Sequence, residues 1–207
     1  MADRNSAAIA EALAALLAGE AIVYPTETFY ALGVDALSMT ALDRLFAIKG
    51  REPGKPVALI AADTAMAFAV AREVPDDARV LAEAFWPGPL TLVLPARDGI
   101  PAALIGADGG VGVRVSSHPI ARALAAALGR PLTATSANLA GEPPAAEPRE
   151  ARTALGDKVK VVVEDGRLAG GAPSTVVAVD RVGMHVLRPG AVSERQLAAA
   201  LKGGLSR

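Results

Sequence analysis

The sequence predicts an α/β protein whose mixed parallel and antiparallel sheet is flanked by helices. Helical and strand patterns alternate almost from end to end, the order expected when helices cover a sheet. A tight turn at Asp180–Gly183 joins two strand-like runs, which forces an antiparallel pair and makes the sheet mixed. The 207 residues suit about one domain, read here as a single domain over 1–207 with its core over about 6–190.

Each element has its own signal. Ile9, Leu13, Leu16 and Leu17 at helical spacing predict an amphipathic helix from about Ser6, with these four on one face and Gly19 as its stop. Ala21–Tyr24 reads as a strand halted by Pro25. Ser38 caps a helix that buries Leu42, Leu45 and Phe46 and ends at Gly50. Val57–Ala61 is a strand, and Asp63 caps the helix after it. Asp76 and Asp77 open a helix toward Phe85. Leu90–Leu94 and Val111–Val115 are strands. Pro119 starts a helix through Leu128 that ends at Gly129. Leu132–Thr135, Val159–Val163, Thr175–Val179 and Met184–Leu187 complete the strands. Ser193 with Gln196 three residues on forms a capping box for a last helix, about 193–201. The Pro-rich stretch Gly141–Pro148 and the stretch Gly166–Pro173 read as irregular loops, and no internal repeat is present.

Composition excludes several chemistries. There is no cysteine, which removes disulfides, thiolate catalysis and iron–sulfur ligation. His118 and His185 are the two histidines, too few for a three-His zinc site. Aromatics are 3% against 52% hydrophobic residues, so the core must be aliphatic. The formal net charge is −1, whereas binding nucleic acid by bulk electrostatics calls for a basic chain. No apolar run approaches the roughly 18 residues of a membrane span. Asp3 and Glu11 spoil a secretory-signal reading of Ala7–Ala18. The expectation is a cytoplasmic protein with no membrane partner.

Five segments could carry chemistry. Lys49, Arg51 and Lys55 put three cations in one loop, which reads either as a solvated face or as a phosphate clamp. It is not a Walker loop, because three residues separate the glycines and Pro56 follows the lysine. Tyr24–Gly33 follows a strand, at the edge where α/β ligands bind, and crowds two threonines and Glu27 into a short loop. Thr26 there serves either a turn or a ligand. Arg114 lies in an otherwise apolar strand, so it needs an anion: a structural carboxylate, or a ligand carboxylate held by its fork. Thr133–Asn138 ends a strand in small polar residues that let a ligand approach the backbone. A serine-nucleophile reading fails there, since no Gly-x-Ser-x-Gly elbow exists. Ser174 enters one strand and Arg188 leaves another. His118, before Pro119, reads as a local structural residue.

Together the stretches YPTETFYALG, KGREPGKP, WPGPLTLVL, VGVRVSSHP, TATSANLAGEP, PSTVV and LRPG resemble the YrdC-like family of threonylcarbamoyl-AMP synthases, from about Gly19 to Gly190. The pattern departs at Ala31, where the family usually has Gly, at Ser116, where it has Pro, and at Ala178, where it has Asp. With few residues after Gly190, the chain resembles the short, single-domain type.

The resemblance implies a twisted mixed sheet with helices around a concave basic cavity. It implies a reaction joining L-threonine, bicarbonate and ATP into threonylcarbamoyl-adenylate, for the t6A modification of tRNA. Thr26, Arg114 and Ser174 would hold threonine, with Arg114 on its carboxylate. Lys49 and Arg51 would be catalytic and would face the nucleotide phosphates with Lys55 and Arg188. Ala134, Ser136 and Asn138 would line the nucleotide site. Mg2+ would ride on the ATP phosphates with few or no protein ligands. Partners would be the tRNA-modification proteins that accept the adenylate, and tRNA itself. The rival is an RNA-binding or ribosome-assembly module on the concave surface, against which few aromatics and the net charge argue. Because the loop at 49–55 is expected to be exposed, Lys49→Ala and Arg51→Ala are expected to move stability by less than about 0.5 kcal/mol.

Overall fold

The computed structural model describes residues 2–50, 56–139 and 141–204. In chain order the elements are α1 (Ala2–Leu17), β1 (Ile22–Tyr24), β2 (Ala31–Gly33), α2 (Met39–Lys49), β3 (Ala58–Ala61), α3 (Thr64–Phe68), α4 (Asp76–Phe85), β4 (Leu90–Pro95), β5 (Gly110–Val115), α5 (Pro119–Leu128), β6 (Leu132–Ser136), α6 (Pro148–Leu155), β7 (Val161–Val162), β8 (Thr175–Val179), β9 (Met184–Arg188) and α7 (Glu194–Gly204). The strands join in one sheet in the order β7-β1-β2-β6-β3-β5-β4-β8-β9. The pairs β1–β7, β3–β5 and β4–β8 are parallel, and the other pairs are antiparallel. The mixed sheet expected from the sequence is therefore present.

The helix ends follow local chemistry. The Ser38 hydroxyl accepts from Ala41 N and Asp63 from Met66 N, while His118 Nδ1 accepts from Ile120 N behind Pro119. Gly50 closes α2 in the left-handed conformation, at φ 56°. Ser193 and Gln196 bond reciprocally at the start of α7.

Four details differ from the sequence reading. Ala31–Gly33, read as loop, pairs with β1 as a hairpin strand. Pro148–Leu155 is a helix, started by Pro148 and by the Glu150 carboxylate accepting from Glu147 N. Regular β7 is Val161–Val162, though Lys160 N and Val163 N also reach Ala21 O and Val23 O. Leu17 is 62% exposed, and the buried side of α1 runs through Ala12, Ala15 and Leu16. With Ala12, Ala15 and Leu16 setting the buried stripe, Leu17 falls beyond its edge, a further 100° round the helix from Leu16.

Strand alternation gives the sheet two unlike faces. Leu32, Leu59, Leu92, Val113 and Val177 point to one side, into a core with Leu42 and Leu45 of α2, Leu81 of α4 and Leu197 of α7. Ile22, Tyr24, Ile60 and Leu132 point to the other, under Leu16 of α1 and Leu124 of α5. Burying one such aliphatic side chain contributes about 1.5–3 kcal/mol. The second face continues past Ile60 and Leu132 to Ala58, Ala134, Gly112 and Thr91, and there it opens on a cavity. No described helix is long and apolar enough to cross a membrane.

Candidate active site

A cavity of about 860 Å³ lies on that second face, within the usual range for small-molecule sites, roughly 300–1,000 Å³. Its floor is made of small residues, Ala58, Gly112 and Ala134, where a Cβ on Gly112 would meet Ala58 Cβ at 3.7 Å. Thr26, Arg114, Ala134, Ser136, Asn138, Ser174 and Arg188 all line it. The structure thus brings together seven of the ten residues singled out from the sequence. Arg51 and Lys55 lie outside the described residues. Among the described residues the lining is of mixed charge, with Arg114 and Arg188 offset by Asp108 and Glu142, so the basic cavity expected from the resemblance is not seen there.

Lys49 is placed differently from the expectation. It is 6% exposed and is not among the lining residues. Its Nζ donates to Ser136 O at 2.9 Å, Asn138 O at 2.6 Å and Asn138 Oδ1 at 2.8 Å. Three acceptors match an ammonium's three N–H groups. The Ser136 hydroxyl also donates to Asn138 Oδ1, and Asn138 Nδ2 donates to Glu142 O. Lys49 therefore ties the end of α2 to the loop after β6. The expectation of an exposed Lys49 is corrected by these contacts.

Thr26 makes the turn contacts one reading expected and also lies on the cavity wall. Its hydroxyl donates to Phe29 O at 2.7 Å and accepts from Thr28 N at 3.3 Å, yet the residue faces the cavity. Arg114 is likewise placed beside a structural carboxylate and on the cavity wall. It sits in β5, 7% exposed, lines the cavity, and has Glu27 Oε1 3.6 Å from its Nε.

Arg188 Nη2 donates to Ser174 O at 2.7 Å and to Ser174 Oγ at 3.1 Å, and Ser174 Oγ lies 3.1 Å from Thr91 Oγ1. Burial, and then repulsion from Arg114, pull the Arg188 guanidinium below its ordinary pKa. Arg188 is thus grouped with Ser174 and Arg114, across the cavity lining from Ser136 and Asn138. The chain after β9 presses on this corner: a Cβ on Gly190 would lie 2.3 Å from Pro173 O. Only glycine admits that approach.

Thr28 and Tyr30, from the Tyr24–Gly33 segment, also line the cavity, as do Thr91 and Leu187, which were not singled out from the sequence. Thr91 was legible as the one polar residue between Leu90 and Leu92, in a strand otherwise built for burial. Tyr30 donates to Gly166 O at 2.7 Å, and Gly170 N donates to Thr28 O at 3.0 Å, which fixes the 164–173 loop along one wall.

His118 stands behind the site, with Nε2 3.0 Å from Asp165 Oδ2. Burial lowers its pKa, while Asp165 and then Glu27 oppose the shift and Arg122 adds to it. The unfolded chain takes up this proton near pH 6.5 and the folded chain only below that. The His118 contribution to stability is therefore full above about pH 6.5 and is lost as pH falls. His118→Asn keeps a helix cap and removes the titration. We expect thermal unfolding to show a smaller loss of stability from pH 7.5 to 5.5 in this variant than in the unsubstituted protein. Identical losses would remove His118 as the cause.

Among the described residues, no three His, Asp or Glu side chains converge as a metal site.

Comparison with known proteins places this geometry. The Sua5/YciO/YrdC family model, described as "Telomere recombination", matches residues 14–190. A relative from Vibrio cholerae named threonylcarbamoyl-AMP synthase is 41% identical over 186 residues, covering 87% of this chain and 96% of the relative. One of the same name from Chromohalobacter salexigens is 43% identical over 171 residues, covering 81% and 90%. The crystal structure of Pyrococcus abyssi Sua5 complexed with L-threonine superposes with a TM-score of 0.89 at 33% identity. That match covers 93% of this chain but 57% of the archaeal one, so this chain spans little more than half of that protein. The motifs, the sheet and these matches agree: the chain belongs to the Sua5/YciO/YrdC family.

Proposed function

We propose that this protein is an L-threonylcarbamoyladenylate synthase, making threonylcarbamoyl-AMP and pyrophosphate from L-threonine, bicarbonate and ATP for threonylcarbamoyladenosine formation at A37 of tRNA. The observation that carries this reading is the convergence of Thr26, Arg114, Ala134, Ser136, Asn138, Ser174 and Arg188 on one cavity from five separate motifs. The names of the bacterial relatives support the activity, and the threonine complex of the archaeal structure supports the substrate.

The chemistry needs no enzyme nucleophile. The threonine amine takes up bicarbonate, losing water, to give a carbamate. A carbamate oxygen then attacks the α-phosphorus of ATP, and the bond to the β-phosphate oxygen breaks to release pyrophosphate. What the protein supplies is orientation and charge stabilisation. In our reading Arg114 holds the threonine carboxylate, with Thr26 and Ser174 beside it. Arg188, expected on the nucleotide phosphates, is fixed on Ser174, and we place its charge beside the threonine instead, where the carbamate forms. Ala134, Ser136 and Asn138 take the nucleotide. Lys49 acts through these residues, by holding the strand end that carries them, and Arg51 and Lys55 remain proposed phosphate ligands. Magnesium fits this donor set as an ion carried on the phosphates, whose charge it would spread. A cytoplasmic location and transfer of the adenylate to partner proteins of tRNA modification complete the proposal. No observation favours the RNA-binding alternative.

Pyrophosphate release from ATP is expected to require both threonine and bicarbonate. Equal release in bicarbonate-free buffer would sink the carbamate route. Release without threonine would make the protein a simple nucleotide hydrolase.

A further inference from the structure

Glu27 belongs to the loop after β1, and the proposed chemistry gives it no part. Its side chain is 10% exposed, and that of Arg114 is 8%. Glu27 Oε1 and Arg114 Nε are both buried, face each other at 3.6 Å, and have no hydrogen-bond partner among the described residues. Glu27 Oε2 accepts a hydrogen bond from the Ser116 hydroxyl. Ser116 is completely buried, and its oxygen in turn accepts from His118 N at 3.1 Å. The carboxylate is thus anchored at one oxygen to the start of α5, and its other oxygen stands beside the inner edge of the guanidinium. Ser116 occupies a position where the family pattern has proline, which carries no hydroxyl.

We infer that Glu27, held by Ser116, is a positioning residue that fixes the orientation of Arg114. With Nε turned to Glu27, the two terminal nitrogens are the edge left for a carboxylate in the cavity. A planar fork must be aligned to make two parallel bonds, so its bearing matters as much as its charge. The inference rests on Arg114 as the threonine carboxylate ligand.

The test measures half-saturation for threonine and for ATP in pyrophosphate release, with melting temperatures, for Glu27→Ala, Glu27→Gln, Ser116→Ala and Arg114→Lys. Glu27→Ala is expected to raise the threonine value about tenfold and leave the ATP value within about twofold, the signature of misalignment at one substrate. Glu27→Gln keeps an oxygen for Nε and an amide N–H for the Ser116 oxygen, so it is expected to return the threonine value to within about threefold of the unsubstituted protein. Ser116→Ala is expected to raise the threonine value about threefold, and it decides the matter if Glu27→Ala does not fold. Unchanged threonine values in Glu27→Ala or Ser116→Ala, equal rises for both substrates, or a Gln variant no better than Ala would each overturn the inference. If Arg114→Lys leaves threonine dependence unchanged, the Arg114 reading falls and this inference falls with it. A loss there beside unaltered Glu27→Ala removes this inference alone.

Discussion

Arg114→Lys is expected to weaken threonine binding by about 30- to several-thousand-fold while ATP saturation changes little. Removing one partner of a buried, charge-paired contact costs roughly 2–5 kcal/mol, and each 1.4 kcal/mol is tenfold. An ammonium is a compact point charge and cannot rebuild a two-bond fork. The surroundings sharpen the expectation, because β5 buries this side chain beside Glu27. A shorter-reaching cation there would settle against Glu27 rather than reach the cavity. Titration calorimetry with threonine reads the loss directly, and a melting curve reads the cost to the fold. A lower melting temperature with unchanged threonine affinity would mean that Arg114 serves Glu27 alone.

Lys49→Ala is expected to lower stability by about 2–4 kcal/mol, well above what the sequence suggested. The buried ammonium satisfies two backbone carbonyls and the Asn138 side-chain oxygen. Each buried polar group left without a donor costs roughly 1–3 kcal/mol. For a protein of this size the change corresponds to a melting-temperature drop of roughly 5–15 °C. Turnover should fall as well, because Ser136 and Asn138 line the cavity that the loosened loop would distort. Lys49→Met keeps the stem and loses the three donors, so it should lose stability nearly as much as Lys49→Ala. A melting temperature within about 2 °C of the unsubstituted protein would show that the carbonyls find other donors.

The features legible in the sequence are those with local causes. Ser38, Asp63 and Ser193 announced helix starts because a cap acts within three residues, and Gly50 and Gly129 announced ends because the left-handed turn is theirs to make. The Ala31–Gly33 strand escaped because three residues carry too little alternation, and its pairing with β6 lies a hundred residues away. The helix at Pro148 escaped because its prolines and glycines suggested a loop, although Glu147, Pro148 and Glu150 already stood at helix-start spacing. Within the site, the motifs named the residues that line the cavity but not what stands behind them. A cation near a helix end looks solvated until the fold brings Ser136 and Asn138 against it. Glu27 sits in a recognised motif, but its neighbours Ser116 and Arg114 come from a segment some ninety positions on, which no local pattern reveals.

The parallel pairing of β4 with β8 sets an order of events during synthesis. Leu90 through Val93 take their partners from Thr175 through Ala178, and Ser174 and Arg188 reach the cavity from the same late stretch. While the ribosome is still reading the codons between, β4, with Leu92 and Leu94 among its residues, is an edge strand with one open row of N–H and C=O groups. Such an edge invites pairing with another nascent chain. The stretch from Ser174 onward therefore both closes that edge and completes the cavity. A ribosome that stalls before Thr175 would release a sticky, inactive product rather than a partly working one.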